Sequence, residues 1–176
     1  MDLQATLNLI EPELQRTSSR WALIGGQALA FLGIPRSTLD TDFVVDATAQ
    51  ESLVKFLESR GYETLHRSAG YSNHLHHEPR LGRVDFVYVA GETADAIFGS
   101  CQQVTGPTGF SLPIPKPEHL IAMKLHAVSN DTTRRHQDLA DIQSLLSLPG
   151  VDRQEVRSAF EKRGLGKELD ALEANL

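Results

Sequence analysis

The chain is short of the residues that would mark several common protein classes. Among its 176 residues there is one cysteine, Cys101, so an internal disulfide, a multi-cysteine zinc site and a CxxC redox pair are all excluded. Aromatic residues make up only 6% of the chain. No apolar run approaches the roughly 18 residues that span a bilayer, and residues 1–20 lack the apolar segment of a signal peptide. A cytoplasmic protein without a membrane partner is therefore expected. Nor is there an excess of basic residues: 17 Lys and Arg stand against 23 Asp and Glu, a formal net charge of −6, which argues against broad coating of nucleic acid. Internal repeats and low-complexity tracts are absent too. What remains, at 40% hydrophobic and 23% charged, has the composition of an ordinary globular chain.

Patterning divides that chain into two textures. Residues 2–15 carry Leu3, Leu7, Ile10 and Leu14 at helical spacing. Residues 21–24 form a short apolar run that reads as a buried strand, closed by a tight turn at Gly25 and Gly26 and followed by a short helix over 27–32. A second strand is expected over 41–46, a helix over 49–60 capped by Gly61, and the strongest strand over 82–90. Residues 106–109 read as a turn and 110–114 as a short strand. From Lys116 onward the pattern is helical, over 117–129, 134–148, 152–162 and 166–174. An α/β half, 1–115, and a helical half, 116–176, are thus expected. The second has about 60 residues, a marginal core by itself, so it is expected to pack on the first with a cleft between them.

Three acids stand where strands ordinarily hold apolar residues. Asp40 and Asp42 flank Thr41, so their side chains point to one face. Asp85 lies within Val84-Asp85-Phe86-Val87, a run that otherwise reads as buried. If the two strands are neighbours, three carboxylates converge and repel one another unless a cation joins them. Hard oxygen ligands suit Mg2+, and two such ions about 4 Å apart serve in-line phosphoryl or nucleotidyl transfer. Taken singly, Asp40 could cap a turn and Asp42 could face solvent. Upstream, Leu23-Ile24-Gly25-Gly26-Gln27 lets the backbone approach a phosphate, and Arg36, Ser37 and Thr38 offer a cation and two hydroxyls.

In the helical half, Leu120, Ile121, Met123, Leu125, Ala127 and Val128 define one broad apolar arc, with Lys124 near its centre. On the following helix Asp138 falls within the inward arc and Asp141 at its edge. An inward lysine must snorkel, pair with an acid or reach into a cleft; a purely structural ion pair is the alternative reading.

The stretch from Leu23 to Asp42, LIGGQALAFLGIPRSTLDTD, resembles the nucleotidyltransferase signature of the DNA polymerase beta superfamily, and most of all its minimal AbiEii-like branch. That branch includes toxins of type IV toxin–antitoxin systems. The stretch from Ile114 to Lys124, IPKPEHLIAMK, and the later Asp138-Leu139-Ala140-Asp141 resemble the same branch. Together these motifs extend over residues 21–146. The resemblance implies a nucleotidyltransferase-fold mixed β-sheet flanked by helices, followed by a C-terminal helical region. It implies that Gly25 and Gly26 hold a nucleoside triphosphate, that Asp40 and Asp42 bind metal, and that Asp85 completes the metal site and acts as base. It associates Lys124, with Asp138 and Asp141, with nucleotide binding and catalysis. One departure is Gln137, where the family often has a basic residue; Arg134 and Arg135 stand slightly earlier.

The expected function is therefore transfer of a nucleoside monophosphate onto a hydroxyl, with two Mg2+ ions or Mn2+ in their place. A tRNA or other RNA acceptor and a cognate antitoxin are expected partners. The alternatives are a transferase acting on a small, antibiotic-type molecule and a catalytically silent nucleotide-binding or antitoxin module. Other groups carry less. The run His74-Leu75-His76-His77 has no cysteine beside it and reads as a polar loop or hairpin; His119 and His126 read as solvent-facing; Cys101 has no basic neighbour to activate it.

Overall fold

In the computed structural model, residues 2–106, 109–130, 133–174 and 176 are described. The chain divides into two units, Met1–Pro115 and Lys116–Leu176. The class is mixed α/β, with a five-stranded sheet and, among the described residues, eight α-helices.

In the first unit α1 (Leu3–Arg16) leads to β1 (Trp21–Ile24), α2 (Gly25–Phe31) and β2 (Asp40–Asp46). A single 3-10 turn then joins β2 to α3 (Gln50–Ser59), which is followed by the hairpin β3 (Tyr62–Arg67) and β4 (Tyr71–His76), then β5 (Arg83–Val89) and α4 (Gly91–Gly99). The strands lie in the order β1-β2-β5-β4-β3. β2 and β5 run parallel, and every other pair in this sheet is antiparallel. A separate two-stranded sheet pairs β6 (Gln102–Thr105) with β7 (Ser111–Ile114).

Alternation explains why β2 and β5 sit at the centre. Thr41, Phe43 and Val45 of β2 and Val84, Phe86 and Tyr88 of β5 share one face and are buried. Phe43 stacks on Phe86 with ring centroids 5.6 Å apart, and Trp21 meets Phe43 edge-on at 5.8 Å. The opposite face of the same strands carries Asp40, Asp42, Arg83 and Asp85. At the edge of the unit α1 is capped by Asp2, whose carboxylate accepts from the Ala5 amide at 3.2 Å and pairs with Arg80 at 2.9 Å.

The second unit consists of α5 (Pro117–Asn130), α6 (Arg135–Leu146), α7 (Arg153–Glu161) and α8 (Gly166–Glu173). Leu120, Ile121, Leu125 and Val128 are buried on α5, as are Ile142, Leu145 and Leu146 on α6 and Phe160 on α7. The Asp152 carboxylate caps α7 by accepting from the Gln154 and Glu155 amides, at 2.9 and 3.1 Å.

Several expectations need adjustment. α2 begins at Gly25, so the paired glycines are the first turn of the helix and not a turn before it; the positive φ of Gly25, +66°, lets the chain pass from strand to helix with no intervening residue. Of the two readings of the histidine run, loop or hairpin, it is the hairpin, with residues 74–76 ending β4; β3, β6 and α4 lie in stretches that the sequence pattern left unassigned. The turn expected over 106–109 includes Pro107 and Thr108, which lie outside the described residues.

Candidate active site

Strand register builds the acid cluster. In the parallel pair Asp42 stands directly opposite Asp85, and Asp40, two residues earlier, shares its face. One carboxylate oxygen from each of Asp40, Asp42 and Asp85 lies within 4.8 Å of the others. Asp85 is only 5% exposed, whereas Asp40 and Asp42 are half-buried. Three hard, anionic oxygens this close match the donors that a small divalent cation gathers, and nothing in the set is soft or bulky. Among the described residues this is the one grouping of three such side chains with metal-ligand geometry.

The segments on either side are shaped around these acids. A Cβ on Gly25 would overlap the Asp42 carboxylate and come within 2.8 Å of Asp42 Cβ, so the approach of β1 to β2 requires glycine there. A Cβ on Gly26 would lie 2.9 Å from Thr38 Cβ. Thr38 uses that space: its hydroxyl donates to the Asp40 carboxylate and fixes its orientation. Arg36 Nη1 donates to the Ser37 carbonyl at 2.8 Å, which bends the guanidinium back along the loop before β2.

Asp85 is held by residues that the sequence reading did not single out. Arg83 Nε donates to Oδ1 at 2.9 Å and Nη2 to Oδ2 at 3.0 Å, a two-point fork. The Tyr71 hydroxyl donates to Oδ2 at 2.8 Å, and the Asn73 amide in turn donates to the Tyr71 oxygen. Burial, with the adjacent Asp85 charge, pushes the Tyr71 phenol up to about 12, so it is a donor at neutral pH. The Asp85 carboxylate also holds the Arg83 guanidinium further above its ordinary value. Arg83 was legible in principle, since residues two apart on a strand share a face. Tyr71 and Asn73 were not, because their relation to Asp85 depends on the β4–β5 register.

In the second unit Lys124 is inward, with only 14% of its side chain exposed, and it meets both acids of the following helix. Its ammonium donates to Asp141 Oδ2 at 2.6 Å and to Asp138 Oδ1 at 3.1 Å. Asp141, which the helical arc placed at an edge, makes the shorter of the two bonds. Arg135 pairs with Glu168 at 3.3 Å, and Arg134 is exposed.

The remaining candidates have structural roles. Both ring nitrogens of His74 are engaged, by Thr64 Oγ1 at 3.1 Å and Ser72 Oγ at 2.8 Å, and burial depresses its pKa. His76 contacts the Arg60 carbonyl at 3.1 Å and accepts from the Glu78 amide at 2.9 Å. His119 is not solvent-facing as the spacing suggested: only 17% of its side chain is exposed, and burial, then the nearby Lys116, depresses its pKa. Burial pushes the Cys101 thiol up to about 11, far from a nucleophile's range.

Comparison with known proteins agrees with this architecture. No curated protein matches the sequence. Among solved structures, the lincosamide antibiotic adenylyltransferase LnuA superposes with a TM-score of 0.57 at 18% identity, over 82% of this chain and 96% of that one. The antibiotic-resistance factor ANT(2'')-Ia gives a TM-score of 0.57 at 18% identity, over 99% of this chain and 92% of that one. An antigenic nucleotidyltransferase-like protein from Paracoccidioides brasiliensis gives 0.56 at 17% identity, over 98% and 93%. At these identities the likeness is one of fold, and the fold is that of nucleotidyltransferases. The family model of the nucleotidyl transferase AbiEii toxin, type IV toxin–antitoxin system, matches residues 13–174, and the chain belongs to that family.

Proposed function

We propose that this protein transfers a nucleoside monophosphate from a nucleoside triphosphate to a hydroxyl group of RNA, with tRNA foremost, and that it does so as the growth-inhibiting toxin of a toxin–antitoxin pair. The observation that carries the reading is the convergence of Asp40, Asp42 and Asp85 within 4.8 Å, beside a strand-to-helix junction that only glycine can make. Asp40 and Asp42 would hold two divalent ions, Mg2+ or Mn2+ in its place, and Asp85 the one nearer the acceptor. Bound there, the ions supply Lewis acidity at the phosphates and at the attacking hydroxyl.

The residues of the chain supply the rest. The acceptor oxygen attacks the α-phosphorus, the bond from that phosphorus to the β-phosphate bridge breaks, and pyrophosphate leaves. The Asp85 carboxylate takes the hydroxyl proton. Gly25 and Gly26 admit the triphosphate to the backbone, while Arg36 and the Thr38 hydroxyl border it. Lys124 is assigned to neutralising the triphosphate, with Asp138 and Asp141 orienting its ammonium. The family description supports the toxin role and, by its type IV label, a cognate antitoxin; a cytoplasmic location belongs to the same proposal.

The test is incubation with each α-labelled nucleoside triphosphate, Mg2+ and total cellular RNA. Label on an RNA band with the wild type, lost with Asp42→Asn, is the expected result; label retained by Asp42→Asn overturns the mechanism. A second reading, a small hydroxylated acceptor, is favoured by the fold shared with a lincosamide antibiotic adenylyltransferase and an antibiotic-resistance factor. It predicts no labelled RNA but a labelled small molecule. Growth arrest on expression of the wild type, absent for Asp42→Asn, tests the toxin role.

A further inference from the structure

Of the three clustered acids, Asp85 is the most enclosed, and both of its oxygens are already engaged. Arg83 reaches one oxygen with Nε and the other with Nη2, at 2.9 and 3.0 Å. A cation gathered by the three acids would draw on one of these oxygens. The two groups differ in how they sit: the Asp85 side chain is 6% exposed, but that of Arg83 is 43% exposed. The guanidinium therefore has water on one side and can leave without being dragged through an apolar environment, whereas the carboxylate cannot move away. Tyr71 anchors Oδ2 from β4, independently of Arg83.

We propose that Arg83 is a built-in counter-ion that competes with the divalent ion for Asp85. In the cation-free protein the fork offsets part of the repulsion among the three carboxylates and keeps Asp85 aimed into the cluster. When a cation binds, Arg83 releases the carboxylate to it, while Tyr71 keeps its bond to Oδ2. The cluster is thus held in its binding geometry at the expense of metal affinity. Arg83 is on this account a positioning residue, acting through Asp85. The inference rests on the reading of the cluster as a divalent-cation site.

The experiment measures Mn2+ binding to the full-length chain without nucleotide, from the free Mn2+ signal in electron paramagnetic resonance. Wild type, Asp42→Asn, Arg83→Gln and Arg83→Lys are compared. Asp42→Asn is expected to weaken binding. Arg83→Gln is expected to tighten it roughly fivefold, the modest factor of an ion pair with one partner in solvent. Arg83→Lys keeps the charge but cannot make the fork, and is expected to tighten binding about twofold. Thermal melts give a second readout: in chelator Arg83→Gln melts below wild type, and Mn2+ closes the gap.

If Asp42→Asn weakens Mn2+ binding but Arg83→Gln leaves it unchanged or weaker, the competition is refuted while the metal site stands. Tightening by Arg83→Gln with Arg83→Lys equal to wild type reduces the effect to a distant field and also overturns it. Should Arg83→Gln fail to fold, the lysine variant decides alone. Absence of Mn2+ binding in the wild type, or binding indifferent to Asp42→Asn, overturns the cation-site reading and the inference together.

Discussion

Two clusters of buried charge occupy the two units, and they are built on opposite logic. In the first, three acids meet one half-exposed arginine, with the like charges placed side by side by parallel strand register. In the second, one lysine sits between two acids three residues apart on a helix, all of them largely buried. Formally the second cluster keeps one surplus negative charge, and both of its acids are bonded to the lysine. The first keeps two, gathered side by side on a sheet face, which is what the proposed reading of it as a receiver of outside charge requires. Under the proposed function the larger surplus, and not burial, marks the reacting centre, since Asp138 and Asp141 are as buried as Asp85.

That contrast can be broken most decisively at Asp42. Asp42→Asn is expected to lower the transfer rate by about a thousandfold or more, as loss of a shared metal ligand does, yet to leave the melting temperature in chelator equal or higher because repulsion is relieved. A variant that unfolds while keeping its rate would reverse the assignment of the two clusters. Lys124→Ala should show the opposite balance. Removing the cation that bridges two buried carboxylates is expected to cost about 3 kcal/mol in urea unfolding. Neutralising all three, with Lys124→Met, Asp138→Asn and Asp141→Asn, should return much of that stability, because a buried ion cluster is worth little over a neutral replacement. If the lysine also serves the nucleotide, KM for the triphosphate rises in the same triple variant.

Gly25→Ala is a smaller lesion with a mixed signature. The strained φ alone costs on the order of 1–2 kcal/mol, and the overlap with the Asp42 carboxylate should depress transfer further than that stability loss explains. Smallest is the effect of pH through His74. Its folded pKa lies below the ordinary value because burial disfavours the charged form. The unfolded chain therefore binds a proton first as pH falls below about 6.5, and stability drops from there toward the folded pKa. His119 is shifted in the same direction. Urea midpoints between pH 7.5 and 5.5 should fall less steeply in His74→Gln than in wild type.

How far the sequence foretold this depended on the range of the interactions. Helices α5 to α8 and strands β1, β2 and β5 follow from local periodicity and from glycine and proline punctuation, and their observed limits lie within two residues or so of expectation. The acids, too, stood out locally, as charges interrupting apolar strands. Strands β3 and β4 did not, since Thr64, His66, Ser72, Asn73 and His74 give no apolar alternation; Thr64, Ser72 and His74 bond to one another across the hairpin. The partners of Asp85 on β4 were hidden for the same reason. A hydrogen bond from Tyr71 to Asp85 exists only because of a cross-strand register, and no spacing within either segment encodes it.

The parallel pairing of β2 with β5 has a consequence for the order of events during synthesis. Asp42 and Asp85 are neighbours in space but about forty residues apart in the chain, and β1 to β4 all leave the ribosome before β5. β5 then has to enter between β2 and β4, the middle of the sheet, a long-range closure of the slow kind. Until it does, Asp40 and Asp42 lack their third acid and the hairpin lacks its inner neighbour. Under the proposed function an unfinished or incompletely folded chain would thus be inert, and the time of sheet closure would set the earliest moment at which the protein acts.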